Sequence, residues 1–171
     1  YLQVLRDGNK PEGESSLYYT YTGPVVYTDQ DKFKKVEFSA IEKNKPELPK
    51  QADNGWIGMI QHYFVTAWVP EKGDRQFYAR AVDKNLYSIG TLLPLGAVAP
   101  GASASGRASL YIGPQDQNVL AKLAPGLDLV VDYGWLTFLA KPIYWLLEFL
   151  HRIVGNWGWA IVLLTVLIKA A

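Results

Sequence analysis

The chain has 171 residues, with 17 Lys and Arg against 16 Asp and Glu, giving a formal charge of +1. Apolar residues make up 49% and aromatic residues 13%, enough for a core without staples and too much for a disordered chain. Near-neutral charge without a basic cluster excludes nucleic-acid binding through phosphate contacts, and the lack of cysteine excludes thiol nucleophiles, disulfides and Cys-ligated zinc.

The charge is unevenly distributed. Residues 1–134 carry a net −1, whereas 135–171 carry +2, from Lys141, Arg152 and Lys169 against Glu148. A start at Tyr1 and a stop at Ala171 inside an apolar run read as a segment of a longer protein.

Residues 1–113 read as strands separated by turn clusters. The expected strands are Leu17–Thr22, Val25–Thr28 after Gly23-Pro24, and Phe33–Phe38. The apolar stretch Gly55–Pro70 holds further strand pieces, broken near Gln61-His62 or at Gly58. Gln76–Val82 and Leu86–Leu93 form a predicted hairpin around Asp83-Lys84-Asn85, and Arg107–Gly113 closes the series. Lys43–Lys50 and Pro94–Gly106 read as loops, and Pro114–Ala124 as a short helix stopped by Pro125-Gly126. Many strands with no helical period between them predict an antiparallel sandwich.

This half offers no enzyme site. Its one histidine, His62, is far in sequence from His151, so neither a metal site nor a triad is supplied. Gly101–Gly106 has the wrong spacing and flanks for a nucleophile elbow, and no glycine pattern cradles a phosphate. No catalytic residue, metal ligand or cofactor is assigned.

Beyond residue 134 the chain changes character. In Trp135–Val154, a turn of ~100° per residue puts Lys141, Glu148 and Arg152 on one narrow stripe with His151 on its flank. The other faces are apolar, and Trp135, Tyr144 and Trp145 suit the headgroup region, so the reading is a helix lying on a bilayer surface. Pro142 fits the start of that helix or a bend. After Gly155-Asn156 the uncharged run to Ile168 is 14 residues, short of the ~20 that cross a bilayer, and reads as the beginning of a spanning helix with Trp157 and Trp159 at the interface. Lys169 falls about 18 Å beyond Trp157 along a helix axis, deep enough to predict a function rather than an anchor. The expected organisation is a β-sandwich domain over 1–126 with a short helix near 115–124, a linker and surface helix over 127–154, and the start of a transmembrane helix over 155–171.

Several of these residues carry a resemblance. The pattern LDL-x-VDYGW at 127–135, the GNWG at 155–158, Gly55-Trp56-Ile57 and Gln61–Pro70 together resemble the YidC membrane protein insertase family of Gram-negative bacteria. The resemblance implies a mainly β fold, an antiparallel periplasmic β-supersandwich followed by a short helix, an amphipathic interfacial helix and the first helix of a five-helix membrane core. It implies a multi-pass inner-membrane protein with residues 1–134 in the periplasm, acting on nascent membrane proteins alone or with the Sec translocon and SecDF-type accessory proteins. It also implies that Lys169 stands where the family usually has an Arg in a hydrophilic groove, keeping the charge and losing the bidentate fork. The competing reading is a membrane-anchored periplasmic domain that binds a sugar-like ligand or scaffolds partners, which a concave, aromatic-lined sheet with convergent polar groups would favour.

Overall fold

Alternating β-branched and aromatic residues bury both faces of a strand only where something covers each face, and here both are covered. The computed structural model describes residues 1–9, 21–131 and 137–170, without the side chains of 137–139 and 141. The chain divides into two units, Tyr1–Val131 and Asp132–Ala171.

Among the described residues the first unit holds nine strands: β1 (Leu2–Asp7), β2 (Gly23–Thr28), β3 (Lys32–Lys35), β4 (Gln51–Ala52), β5 (Trp56–Gln61), β6 (Phe64–Pro70), β7 (Arg75–Asp83), β8 (Leu86–Leu92) and β9 (Ala108–Pro114). They form two antiparallel sheets, ordered β1-β8-β7-β4 and β3-β2-β5-β6-β9. The described residues of the unit also form helices α1 (Phe38–Glu42) and α2 (Gln117–Leu123) and a 3₁₀ turn (Leu127–Val130).

The five-stranded sheet packs on both sides. One face sends Val26, Ile57 and Met59 against Phe77, Tyr87 and Ile89 of the four-stranded sheet. The other sends Val25, Tyr27, Trp56, Ile60, Val65 and Ala67 against Leu120, Ala124, Leu127 and Val130. All six residues of β2 are therefore buried. Each fully buried Val, Ile or Met contributes about 1.5–3 kcal/mol relative to exposure.

The expected strands at 25–28, 76–82, 86–93 and 107–113 are present, and 94–106 is irregular as expected. The strand expected at Leu17–Thr22 lies largely outside the described residues, and Tyr21 and Thr22 precede β2 without strand pairing. Within Gly55–Pro70 the break falls at His62-Tyr63, where His62 adopts φ 49, whereas Gly58 continues the strand. The Phe33–Phe38 strand stops at Lys35, because Phe38 opens α1 and packs on Tyr87 with ring centroids 4.5 Å apart. Strands β1 and β4, helix α1 and the 3₁₀ turn are additions to the sequence reading.

The expected helix near 115–124 is α2, whose N-cap Asp116 accepts from the backbone N–H groups of Asn118 and Val119. Gly126 then takes φ 71, with its Cα so close to Tyr27 that an added Cβ would lie 2.4 Å from the ring. That turn lets Pro125 accept a hydrogen bond from Trp56 Nε1 at 3.0 Å and drives Leu127 and Val130 into the core.

Candidate membrane-facing site

The described residues of the second unit form a pair of helices, α3 (Thr137–Val154) and α4 (Trp157–Ala170), packed on each other. Pro142, expected at the helix start or at a bend, lies in the interior of α3. The corner between the helices is specified locally. Gly155 takes the left-handed φ of 69 and donates its N–H to His151 O at 2.7 Å, closing α3. Asn156 caps α4, its Oδ1 accepting from Trp159 N at 3.3 Å. The His151 ring stacks on Trp157, centroids 3.8 Å apart and planes 11° apart, so the last turn of one helix rests on the first turn of the next.

Packing between the helices uses little of their apolar surface. On α4 only Ala160 and Leu164 are buried, and the small Ala160 permits close approach. Trp157, Trp159, Ile161, Val162, Leu163, Val166, Leu167 and Ile168 are exposed, at 40–63% of their surface. On α3, Trp145, Phe149 and Ile153 make an exposed i, i+4, i+8 row, with the Trp145 and Phe149 rings stacked 5.9 Å apart. Water gives no stabilisation to such a surface, and a contiguous exposed apolar patch of this kind marks a contact with lipid or protein. Thr165, the one hydroxyl in the apolar run of α4, donates to Ile161 O at 2.8 Å and so needs no water.

The charged residues flank this surface. Glu148 and Arg152 are one helical turn apart on α3, bordering the Trp145–Ile153 row, and Tyr144 is exposed beside them. Lys169 is exposed in the last turn of α4. Trp135 and the side chain of Lys141 lie outside the described residues. Among the sequence-derived residues the structure thus brings Tyr144, Trp145, Glu148, Arg152, Trp157 and Trp159 onto one helical pair, with Lys169 at its distal end.

Among the described residues no helix is long and apolar enough to cross a membrane. Helix α4, at 14 residues, extends about 21 Å against a hydrocarbon core of about 30 Å. Also among the described residues, no group of three or more metal-ligating side chains occurs.

Sandwich and hairpin define the class as an antiparallel β-sandwich carrying a helical appendage of exposed apolar surface. Residues 1–146 match the YidC periplasmic domain. The chain is 58% identical over 171 residues to the membrane protein insertase YidC of Bordetella avium (strain 197N), covering 99% of this chain and 31% of that protein. It is 55% identical to the membrane protein insertase YidC of Cupriavidus taiwanensis, over 99% of this chain and 30% of that protein. The corresponding protein of Dechloromonas aromatica (strain RCB) is also 55% identical, with 99% and 31% coverage. The chain belongs to the YidC family. It spans about a third of the length of these relatives.

Proposed function

We propose that the chain is part of an inner-membrane insertase that helps other membrane proteins enter and fold in the bilayer. In this reading residues 1–134 stand in the periplasm, α3 lies along the membrane surface and α4 begins a passage through it. The observation that carries it is the exposed apolar surface of α3 and α4, bordered by Glu148 and Arg152. Relatives bearing the insertase name are 54–58% identical over 99–100% of the chain.

The work assigned is physical rather than bond-making. A charge near the bilayer centre costs about 2.5–3.5 kcal/mol on a lone helix and persists where water or protein solvates it. Lys169, some 18 Å past Trp157 along α4, is therefore assigned to a wet groove that attracts acidic substrate tails and shortens the apolar barrier. An ammonium attracts such a tail without the directional grip of a guanidinium, so the groove tolerates varied substrates. Nascent membrane proteins are the substrates, and the Sec translocon with SecDF-type proteins are the partners proposed for the whole protein.

The test uses the full-length protein in a depletion strain. Lys169→Ala is expected to reduce insertion of substrates with acidic translocated tails several-fold, with Lys169→Arg retaining it. Unchanged insertion of every acidic-tailed substrate by Lys169→Ala would contradict the groove assignment.

A further inference from the structure

The outward face of the four-stranded sheet is assembled from unusual neighbours. Strand alternation puts Gln3, Gly90 and Tyr78 in one cross-strand row and Leu5, Ser88 and Arg80 in the next. In the first row glycine makes room for an aromatic ring. A Cβ on Gly90 would lie 2.2 Å from Tyr78 Cζ, so the phenol ring lies across the glycine. The Tyr78 hydroxyl donates to Gln3 Oε1 at 3.1 Å, which fixes the ring at its far end. Arg80 holds its guanidinium 5.6 Å from the centre of that ring. Among the described residues Tyr1, Tyr78, Arg80 and Leu92 line a cavity of about 430 Å³. In the second row Ser88 Oγ is buried without a hydrogen-bond partner, so polar capacity on this face is unspent.

A ring laid over a strand glycine is a sheet-stabilising device in itself, and that accounts for Tyr78. It leaves Arg80 unexplained. Among the described residues the one ion pair joins Lys34 and Asp31, and no carboxylate neutralises Arg80. The cavity falls in the size range of small-ligand sites, which combine apolar walls with few placed polar groups. Among the described residues two phenol rings and a leucine contribute apolar wall, Tyr1 and Leu92 with much of their surface open to solvent, and a guanidinium stacked on a ring presents its N–H groups to a planar anion. A neutral sugar would use the rings and leave the charge unanswered.

We infer that this cavity binds a carboxylate carried on an apolar body, with the carboxylate on Arg80 and the body against Tyr1, Tyr78 and Leu92. That chemistry is offered both by a free aromatic acid and by an acidic residue beside an apolar one in a polypeptide. The described lining residues all belong to the first unit, and the inference is independent of the role of Lys169.

Calorimetric titration of the full-length protein in lipid nanodiscs tests it, with phenylacetate, phenylacetamide and the blocked dipeptide acetyl-Asp-Phe-amide as probes. Phenylacetate is expected to saturate one site and to bind at least about tenfold more tightly than the isosteric amide. Arg80→Gln should remove that preference, and Tyr78→Phe, which keeps the ring, should preserve it. Thermal melting of each variant confirms that the fold is intact. Dipeptide binding at least as tight as phenylacetate assigns the natural ligand to polypeptide, and binding of phenylacetate alone assigns it to a free acid. Equal binding of acid and amide, an unaltered preference in Arg80→Gln, competition by glucose, or no saturable binding of either anionic probe would overturn the inference.

Discussion

Arg75 is the residue whose burial is least expected from its chemistry. It is 1% exposed, and its side chain donates to three carbonyls: Nε to Gly73 at 3.1 Å, Nη1 to Gly55 at 2.6 Å and Nη2 to Glu71 at 2.5 Å. Burial pushes its pKa down, and the Asp53 carboxylate partly offsets that. The guanidinium thus ties the loop after β6 to Gly55, the residue just before β5. A lysine carries its donors on a single nitrogen and cannot reach acceptors arrayed around three separate ones, so Arg75→Lys should destabilise the sandwich by roughly 2–3 kcal/mol, read as a lowered urea midpoint. An unchanged midpoint would show the clamp to be dispensable. Tyr87 illustrates the opposite case, a neutral group held neutral. Its hydroxyl donates to Glu42 Oε1 at 2.5 Å, and that bond, with burial second, raises its pKa. Stability from this contact is full below the ordinary phenol value near 10 and is lost as pH rises through the raised folded value. The stability difference between wild type and Tyr87→Phe should therefore be constant at neutral pH and shrink above pH ~10. A difference independent of pH up to 12 would contradict this assignment.

At the scale of elements, Gly126 decides how α2 meets the sheet. Its positive φ and the nearby Tyr27 ring leave no room for a side chain. Gly126→Ala should cost about 1–3 kcal/mol and expose Trp56, visible as a red shift in its fluorescence. A wild-type melting temperature would contradict the reading. The sequence signal for this stop, Pro-Gly after a helical period, was legible, as were the hairpins with turn residues between β-branched runs. Strand β1 was not, because Arg6 occupies an inward register position and breaks the apolar alternation, its Nη1 reaching Ile60 O at 2.9 Å. Helix α1 was hidden by length: five residues are too few to show a helical period, although Asn44, with φ 54, is the terminator that a short helix needs. The pairing of Tyr78 with Gly90 depends on register across a hairpin, and a bulge between Ala81 and Asp83 shifts it beyond what spacing alone gives.

For the whole molecule, composition alone describes a neutral chain that would pass for one soluble domain. The division at Val131 replaces that average with a sandwich whose large side chains are mostly buried and a helical pair whose large side chains are mostly exposed. The apolar character of the second part and the break beginning at Gly155-Asn156 were evident in sequence, whereas the ring stacking across that break was not. His151 and Trp157 are separated by a Gly-Asn break, and their stacking follows only from the turn geometry. The central claim is that this apolar pair works in lipid. Spin labels at Ile153 and Ile168 of the full-length protein in proteoliposomes test it, with Arg152 and the exposed loop residue Val98 as references. Collisions with oxygen are expected to exceed those with a water-soluble nickel chelate at Ile153 and Ile168, and the reverse at Arg152 and Val98. Nickel accessibility at Ile153 and Ile168 equal to that at Val98 would contradict it.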